Sequence, residues 1–480
     1  MKRINLMIVL IIPLLLSSIE AFAQNSEAML ARIAAREVQD ELLNTELKTV
    51  HNLRETINHT LTVNPNLEAM RYNRDVLYYE VRNAYGGYLP HLNVTAGAGI
   101  GWKEDRTPTA PLSDRDFTDR LQGGVSLSQL LFDGWRTAGQ VAQNEALLDS
   151  SRKRYLTDAE VYSLDAIVAY MESWRNWGLV ELAEQNVQTH ESILGSLNER
   201  QALGAGSTAD VVQTQARLSR AESTLEERMS AADISVASFL RTVGALPSPE
   251  LELPDDPHPL IPPSVEAFVR STLENNPKVK SYQKDIEAAQ NRVTVARSAL
   301  FPEFFAVASA NTDNWQNSDW QSNDFSVMIT MRWNLFAGMS DVNAIKAAAS
   351  RVRESESNLR ALEYQLRQES QASWREYLAA NRMVQLMEAT VAYNDQTREY
   401  YRQQFEVGQR SLLDVLDAEN EYFSNNSQLL TYRANEYIAI YRLASMRGAL
   451  LSSLGIDPAL YEIDMLPIND GERVKTRAVN

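Results

Sequence analysis

Two short stretches carry the charged side chains with the clearest chemical potential. They are "FEVGQRSLLDVLDAE" (405–419) and "QALGAGSTADVVQTQ" (201–215). Each has a glycine, then a serine three residues on, then Asp-Val and a returning helical pattern. The acids are Asp414 and Asp417 in one stretch and Asp210 in the other, with Arg410 close by. Carboxylates clustered at a turn can attract cations. They can equally serve the helix, because Ser207-x-x-Asp210 and Ser411-x-x-Asp414 have the form of capping boxes and acids suit a first turn. Asp417 lies one turn further in, where a cap no longer needs it, so it is left without a structural duty. Arg410 alone reads as a solvated surface arginine. Nothing in the chain suggests bond-making chemistry. The five histidines, His51, His59, His91, His190 and His258, lack metal-ligand spacing, and no HExxH, GxSxG or phosphate-loop pattern occurs. The expectation is a non-enzyme with no catalytic residue, metal or cofactor.

Elements must bring these residues together. Gly204, Gly206 and Gly408 let the chain reverse tightly, and Leu203, Val407 and Leu412 offer small apolar contacts at the turns. Internal repetition is then visible at several points. "TVNPNLEAM" (62–70) resembles "ENNPKVKSY" (274–282), and "LLFDG" (130–134) matches "NLFAG" (334–338). Pro65 to Pro90 and Pro277 to Pro302 are both 25 residues; Phe132 to Asp210 and Phe336 to Asp414 are both 78. The chain is a tandem duplication in which each copy runs helix, strand, loop, strand, long helix, turn, return helix. Boundaries follow as 1–23 signal peptide, 24–246 first copy, 247–263 linker, 264–455 second copy and 456–480 C-terminal tail. The linker holds seven prolines, which lack an amide donor and keep it extended. From Trp135 to Leu203 there is no proline, so a helix there runs roughly 100 Å. Leu164, Ile167, Met171 and Trp174, like Val342, Ile345, Ala349 and Val352, keep coiled-coil spacing.

Strand signals are short and regular. In 92–102 the residues Leu92, Val94, Ala96, Ala98, Ile100 and Trp102 share one face. In 325–336, Phe325, Val327, Ile329, Met331, Trp333 and Leu335 do the same. Ten-residue alternation with aromatics near the ends suits a membrane barrel strand, with a soluble sandwich as the other reading. Four strands cannot close a barrel, and bare edges are not viable in lipid. If the strands span a membrane, several chains share one barrel. The polar loops 103–120 and 311–324 suit its outer surface.

Bulk properties bound the rest. The 480 residues are 44% hydrophobic and 23% charged and include no cysteine, which excludes disulfides, thiolate metal sites and a lipidated cysteine anchor. Met1 to Ala23 has the basic, apolar and small-residue regions of a secretory signal. Removing Lys2, Arg3 and Glu20 leaves 44 basic and 62 acidic residues, a net charge of −18, which repels nucleic acid.

Signal, duplicated halves, two strands per half and two long hairpins together resemble the TolC-like outer-membrane channel family, from about His51 to Ile456. "LLFDG"/"NLFAG" and "VGQRSLLDVLDAE" are the most specific parts. The resemblance implies a fold that is mainly α with membrane β: a trimeric twelve-stranded β-barrel, four strands per chain, on a long α-helical coiled-coil barrel crossing the periplasm of a Gram-negative cell. It implies an acid ring of Asp414 and Asp417 at the periplasmic entrance, and an Asp210–Arg410 link that holds neighbouring hairpins shut. Phe405 stands where the family archetype has tyrosine and offers no hydroxyl, which leaves Asp210–Arg410 as the remaining latch. A ring of six carboxylates should be cation-selective, with each acid raising its neighbours' pKa. The tips, with Leu203, Gly204, Gly206, Ser207, Val407, Gly408, Ser411 and Leu412, correspond to those that dock a periplasmic adaptor protein. The implied partners are a homotrimer of this chain, that adaptor, an inner-membrane ABC transporter or proton-driven pump, and outer-membrane lipid. "SLSQLLFDG" and "FEVGQRSLLDVLDAENEYF" lie closest in wording to the adhesin-exporting branch. Type I protein secretion is therefore placed ahead of small-molecule efflux, with a pore-free coiled-coil surface protein third.

Overall fold

The computed structural model describes residues 48–101, 118–203, 207–313 and 322–457. Two units are distinguished, 1–50 and 51–480. Of the first, the described part is a short extended segment at Thr49–Val50. The signal segment, most of 24–50, Gly204, Gly206, most of both strand-linking loops and the tail from 458 lie outside the described residues.

The second unit repeats one order of elements. The first pass is α1 (Leu53–Val63), α2 (Pro65–Gly86), β1 (His91–Gly101), β2 (Thr118–Phe132), α3 (Arg136–Ala202) and α4 (Thr208–Val243). The second is α5 (Val265–Asn275), α6 (Pro277–Arg297), β3 (Glu303–Asp313), β4 (Ser322–Arg332), α7 (Ser340–Glu406) and α8 (Leu412–Met446), closed by the single turn α9 (Leu450–Ser453). Helices α3 and α7 are each 67 residues long, roughly 100 Å at 1.5 Å per residue.

The repeated motifs are the joints. Asn64 ends α1 and caps α2, its side chain accepting from the Asn66 and Leu67 amides; Asn276 does the same between α5 and α6, accepting from Lys278. The following proline supplies the pre-set φ of a first helical residue. In "LLFDG"/"NLFAG" the glycine and the residue after it are both left-handed: Gly134 (φ 67°) with Trp135 (65°), and Gly338 (61°) with Met339 (67°). These two residues turn each strand into its long helix. At the first elbow, Asp133 accepts from the Thr137 amide at 2.8 Å and from its hydroxyl at 2.6 Å.

The four long strands form one antiparallel sheet, β1-β2-β3-β4. Its register sets Leu92, Leu127, Ala308 and Val327 in one row, and Val94, Val125, Ala310 and Phe325 in another. The opposite face carries Asn93, Ser126, Ser309 and Ser326, then Thr95, Gly124, Asn311 and Asp324. Strand β4 stops at Arg332 rather than reaching Phe336, because its partner β3 begins at Glu303, just after Pro302. The outer edges of β1 and β4 have no strand partner among the described residues. No described helix is long and apolar enough to cross a membrane.

Packing joins the copies as much as it joins neighbours within each. Helix α3 packs on α4 and on α6 of the second copy. Across that seam the Ser150 hydroxyl donates to Asp285 at 2.6 Å, and Arg154 pairs with the same carboxylate at 2.7 Å. Of the expected seam residues, Ile167 and Met171 are fully buried, whereas Val342, Ile345, Ala349 and Val352 on α7 are half-buried. A core of Phe268, Tyr377, Ala439, Ile440 and Leu443 ties α5 to the second hairpin. The proline-rich linker follows this surface, with one short 3-10 turn at His258–Leu260. Tyr170 donates to the Glu252 carbonyl at 2.7 Å, and Arg447 to that of Leu260 at 2.7 Å.

Candidate functional site

The sites proposed from sequence lie at the far tips of the two helical hairpins. At the second tip, α7 ends in a left-handed Gly408 (φ 76°). Its amide donates to Phe405 O at 3.1 Å, and the Gln409 amide to Gln404 O at 2.8 Å. This is a Schellman closure, which satisfies carbonyls the helix end would leave unpaired. Ser411 then caps α8: its Oγ accepts from the Asp414 amide at 3.2 Å and lies 2.9 Å from Asp414 Oδ2. The serine cap expected here is present, with the Asp414 carboxylate accepting from the Ser411 hydroxyl rather than from its backbone amide. At the first tip Ser207 makes no side-chain cap bond, and Asp210 sits in the first turn of α4, its carbonyl accepting from Thr214.

Beneath the tips four helices meet. Leu197 of α3 and Leu412 and Leu416 of α8 are buried, with Ile193, Val211 of α4 and Phe405 of α7 packed around them. Leu412, expected as an exposed contact, is thus part of the joint between hairpins: at the start of α8 its side chain turns inward. Leu203 and Val407 do stand out, 84% and 69% exposed. Phe405 is roofed by Arg200, whose guanidinium carbon lies 5.0 Å from the ring centroid. That contact needs a ring face and no hydroxyl.

The charged residues sort differently from the sequence expectation. Arg410 stays on its own hairpin. It donates to Gln404 at 3.2 Å, lies 3.8 Å from the Tyr401 ring centroid, and comes within 3.7 Å of Asp414. Asp417 reaches across to the other hairpin, where Arg217 of α4 binds it at 3.0 Å. His190 of α3, which feels the charge of Arg217, is 4% exposed. Its Nδ1 has no hydrogen-bond partner, and burial, with Arg217 next, lowers its pKa. Sequence reading passed over Arg217. Its signal was there: Asp210, Thr214 and Arg217 follow at four and three residues, one helical face, and Thr214 is fully buried.

Taken together, a four-stranded sheet with one apolar face, two open edges and long helical hairpins below it defines an outer-membrane channel fold. The family model described as "Outer membrane efflux protein" matches residues 56–245 and 268–449, and the chain belongs to that family, the TolC-like channels its motifs resemble. One similar protein is the outer membrane efflux protein BepC of Brucella suis, 24% identical over 342 residues, covering 71% of this chain and 75% of that one. Another is the alkaline protease secretion protein AprF of Pseudomonas aeruginosa, 23% identical over 379 residues, covering 75% and 77%. Among solved structures, the outer membrane protein VceC of Vibrio cholerae superposes with a TM-score of 0.67 at 18% identity, over 84% of this chain and 96% of that one. The protein is therefore placed in the outer membrane of a Gram-negative cell, and its fold and family are those of channels, not enzymes.

Proposed function

We propose that this chain is the exit duct of a type I protein secretion system. Three copies form a channel through the outer membrane and periplasm for a large secreted protein such as an adhesin. A periplasmic adaptor and an inner-membrane ABC transporter open it. The observation that carries the channel reading is the sheet. Val94 and Phe325, 72% and 76% exposed, stand in one apolar row across all four strands, a surface fit for lipid. The other face, with Ser126, Ser309 and Ser326, suits an aqueous lumen. Unpaired strand edges cost several kcal/mol per group in hydrocarbon, so neighbouring copies must supply the missing partners, β4 of one pairing with β1 of the next. Three copies of four strands make twelve, the number the family resemblance implies.

Protein export is favoured over small-molecule efflux by likeness to a protease secretion protein. Efflux remains the second reading, on the likeness to BepC. The entrance lies at the hairpin tips, with Asp414 and Asp417 lining it and Leu203 and Val407 offered to the adaptor. The Asp210–Arg410 latch would link neighbouring hairpins in the assembled channel; within one chain Arg410 turns to its own hairpin. The test compares culture-medium and cell-surface proteomes of the parent strain and one lacking this gene. Loss of one or two large secreted proteins is the expected outcome. An unchanged proteome with new sensitivity to bile salts or dyes would move the protein to small-molecule efflux.

A further inference from the structure

The tips hold two acids per chain, and the structure treats them differently. Asp414 is engaged by its own hairpin, through Ser411 at 2.9 Å and Arg410 at 3.7 Å. Asp417 is bound by Arg217 at 3.0 Å, from the other hairpin. That ion pair crosses the end of the apolar joint made by Leu197, Leu412 and Leu416. The Asp417 side chain is 58% exposed, so its outer face is open, whereas Arg217 is 32% exposed.

From this geometry we infer that Arg217 is an intrachain clasp, which locks the two hairpins of one protomer together and cancels the charge of Asp417 at the entrance. The inference rests on the entrance reading above. It has two consequences. Opening that swings one hairpin away from the other must break an Arg217–Asp417 pair in every protomer, in addition to any link between protomers. The entrance field is also weaker than six bare carboxylates would give, since each Asp417 faces Arg217 at 3.0 Å and each Asp414 lies 3.7 Å from Arg410. An exposed pair is weak alone, but three must part together over an apolar joint that opens with them.

The experiment uses the full-length protein, purified from outer membranes and reconstituted in planar bilayers, with La3+ as the probe cation. Intact oligomers on unboiled gels establish that each variant is assembled. Arg217→Gln should raise resting conductance about threefold or more and tighten La3+ block about tenfold, because Asp417 is uncovered. Arg217→Lys should behave as the parent, and Arg217→Asp with Asp417→Arg should return resting conductance toward it. Assembled Arg217→Gln channels that match the parent in both readouts would overturn the clasp. Asp414→Asn with Asp417→Asn should abolish most of the block. If that variant is blocked like the parent, the acids do not line the entrance, and the entrance reading itself falls.

Discussion

Glu160 shows what a single side chain does when the fold buries its charge. It sits about a third of the way along α3, 6% exposed, and accepts backbone N–H bonds from Leu450 at 3.1 Å and Leu451 at 3.4 Å, which fasten α9 to the long helix. Burial raises its pKa to about 7, against the pull of those two bonds. A carboxyl group with a raised folded pKa gives its full stabilisation below its unfolded value, 4.5, and loses it as pH climbs through about 7. At 1.36 kcal/mol per pKa unit this amounts to about 3 kcal/mol per chain. The melting temperature of detergent-solubilised protein should therefore fall between about pH 5 and pH 8, and Glu160→Gln should flatten that fall. An equally steep fall in the variant would place the pH dependence elsewhere. Residues of this kind are nearly illegible in sequence. Glu160 looks like any helical glutamate, because its burial comes from a turn almost 300 positions later. Ser411 was legible as a cap with Asp414 in the first turn, since capping is local. Leu412 was misread because the partner that buries it, Leu197, lies on a different hairpin.

At the level of elements the repeat was readable because its joints rest on backbone demands that few residues meet. Asn-Pro serves twice as helix stop and helix start, and the strand-to-helix elbow needs two left-handed residues in succession. The elbows are not equally constrained, which yields a contrast. At Gly134 an added Cβ would lie 2.8 Å from Phe301 Cβ and 2.8 Å from Ser298 O, at a φ of 67°. At Gly408 the φ is 76° but the space is open. Gly134→Ala should thus combine backbone strain with a steric clash and destabilise the protein by several kcal/mol, lowering the yield of folded protein. Gly408→Ala should add only the strain, about 1–2 kcal/mol, and leave assembly intact. Equal damage at both sites, read as oligomer yield and melting temperature, would show that the clash at Gly134 is relieved. Strand limits were less legible than strand existence. The pattern runs on through Trp333 and Leu335, but the ladder ends where β3 runs out of partner residues at Glu303.

For the whole molecule, the duplication says how copies meet. Inside one chain α3 of the first pass packs on α6 of the second, and Ala288 of α6 is 4% exposed. Its counterpart at the same place in the first pass is Val76 of α2, which is 55% exposed, with Tyr72 and Tyr79 exposed beside it. At the elbows only one pair of counterparts differs. Phe132 is half-buried and packs on Trp135 at 5.2 Å, whereas Phe336 is 76% exposed; Trp135 and Met339 are alike at 56% and 55%. At these places a surface that the first seam buries has a bare equivalent in the other copy. In the proposed trimer a second copy placed by the same rotation would cover them, in a head-to-tail contact that closes into a ring. Several chains sharing one barrel could be reasoned from four strands alone; the residues that form the seam could not, because burial between copies leaves no period of its own in the sequence. Native mass spectrometry of the protein extracted from outer membranes in mild detergent tests this most directly. The account predicts a species of three chains. A stable, membrane-extracted single chain would contradict it, since one copy cannot close its sheet.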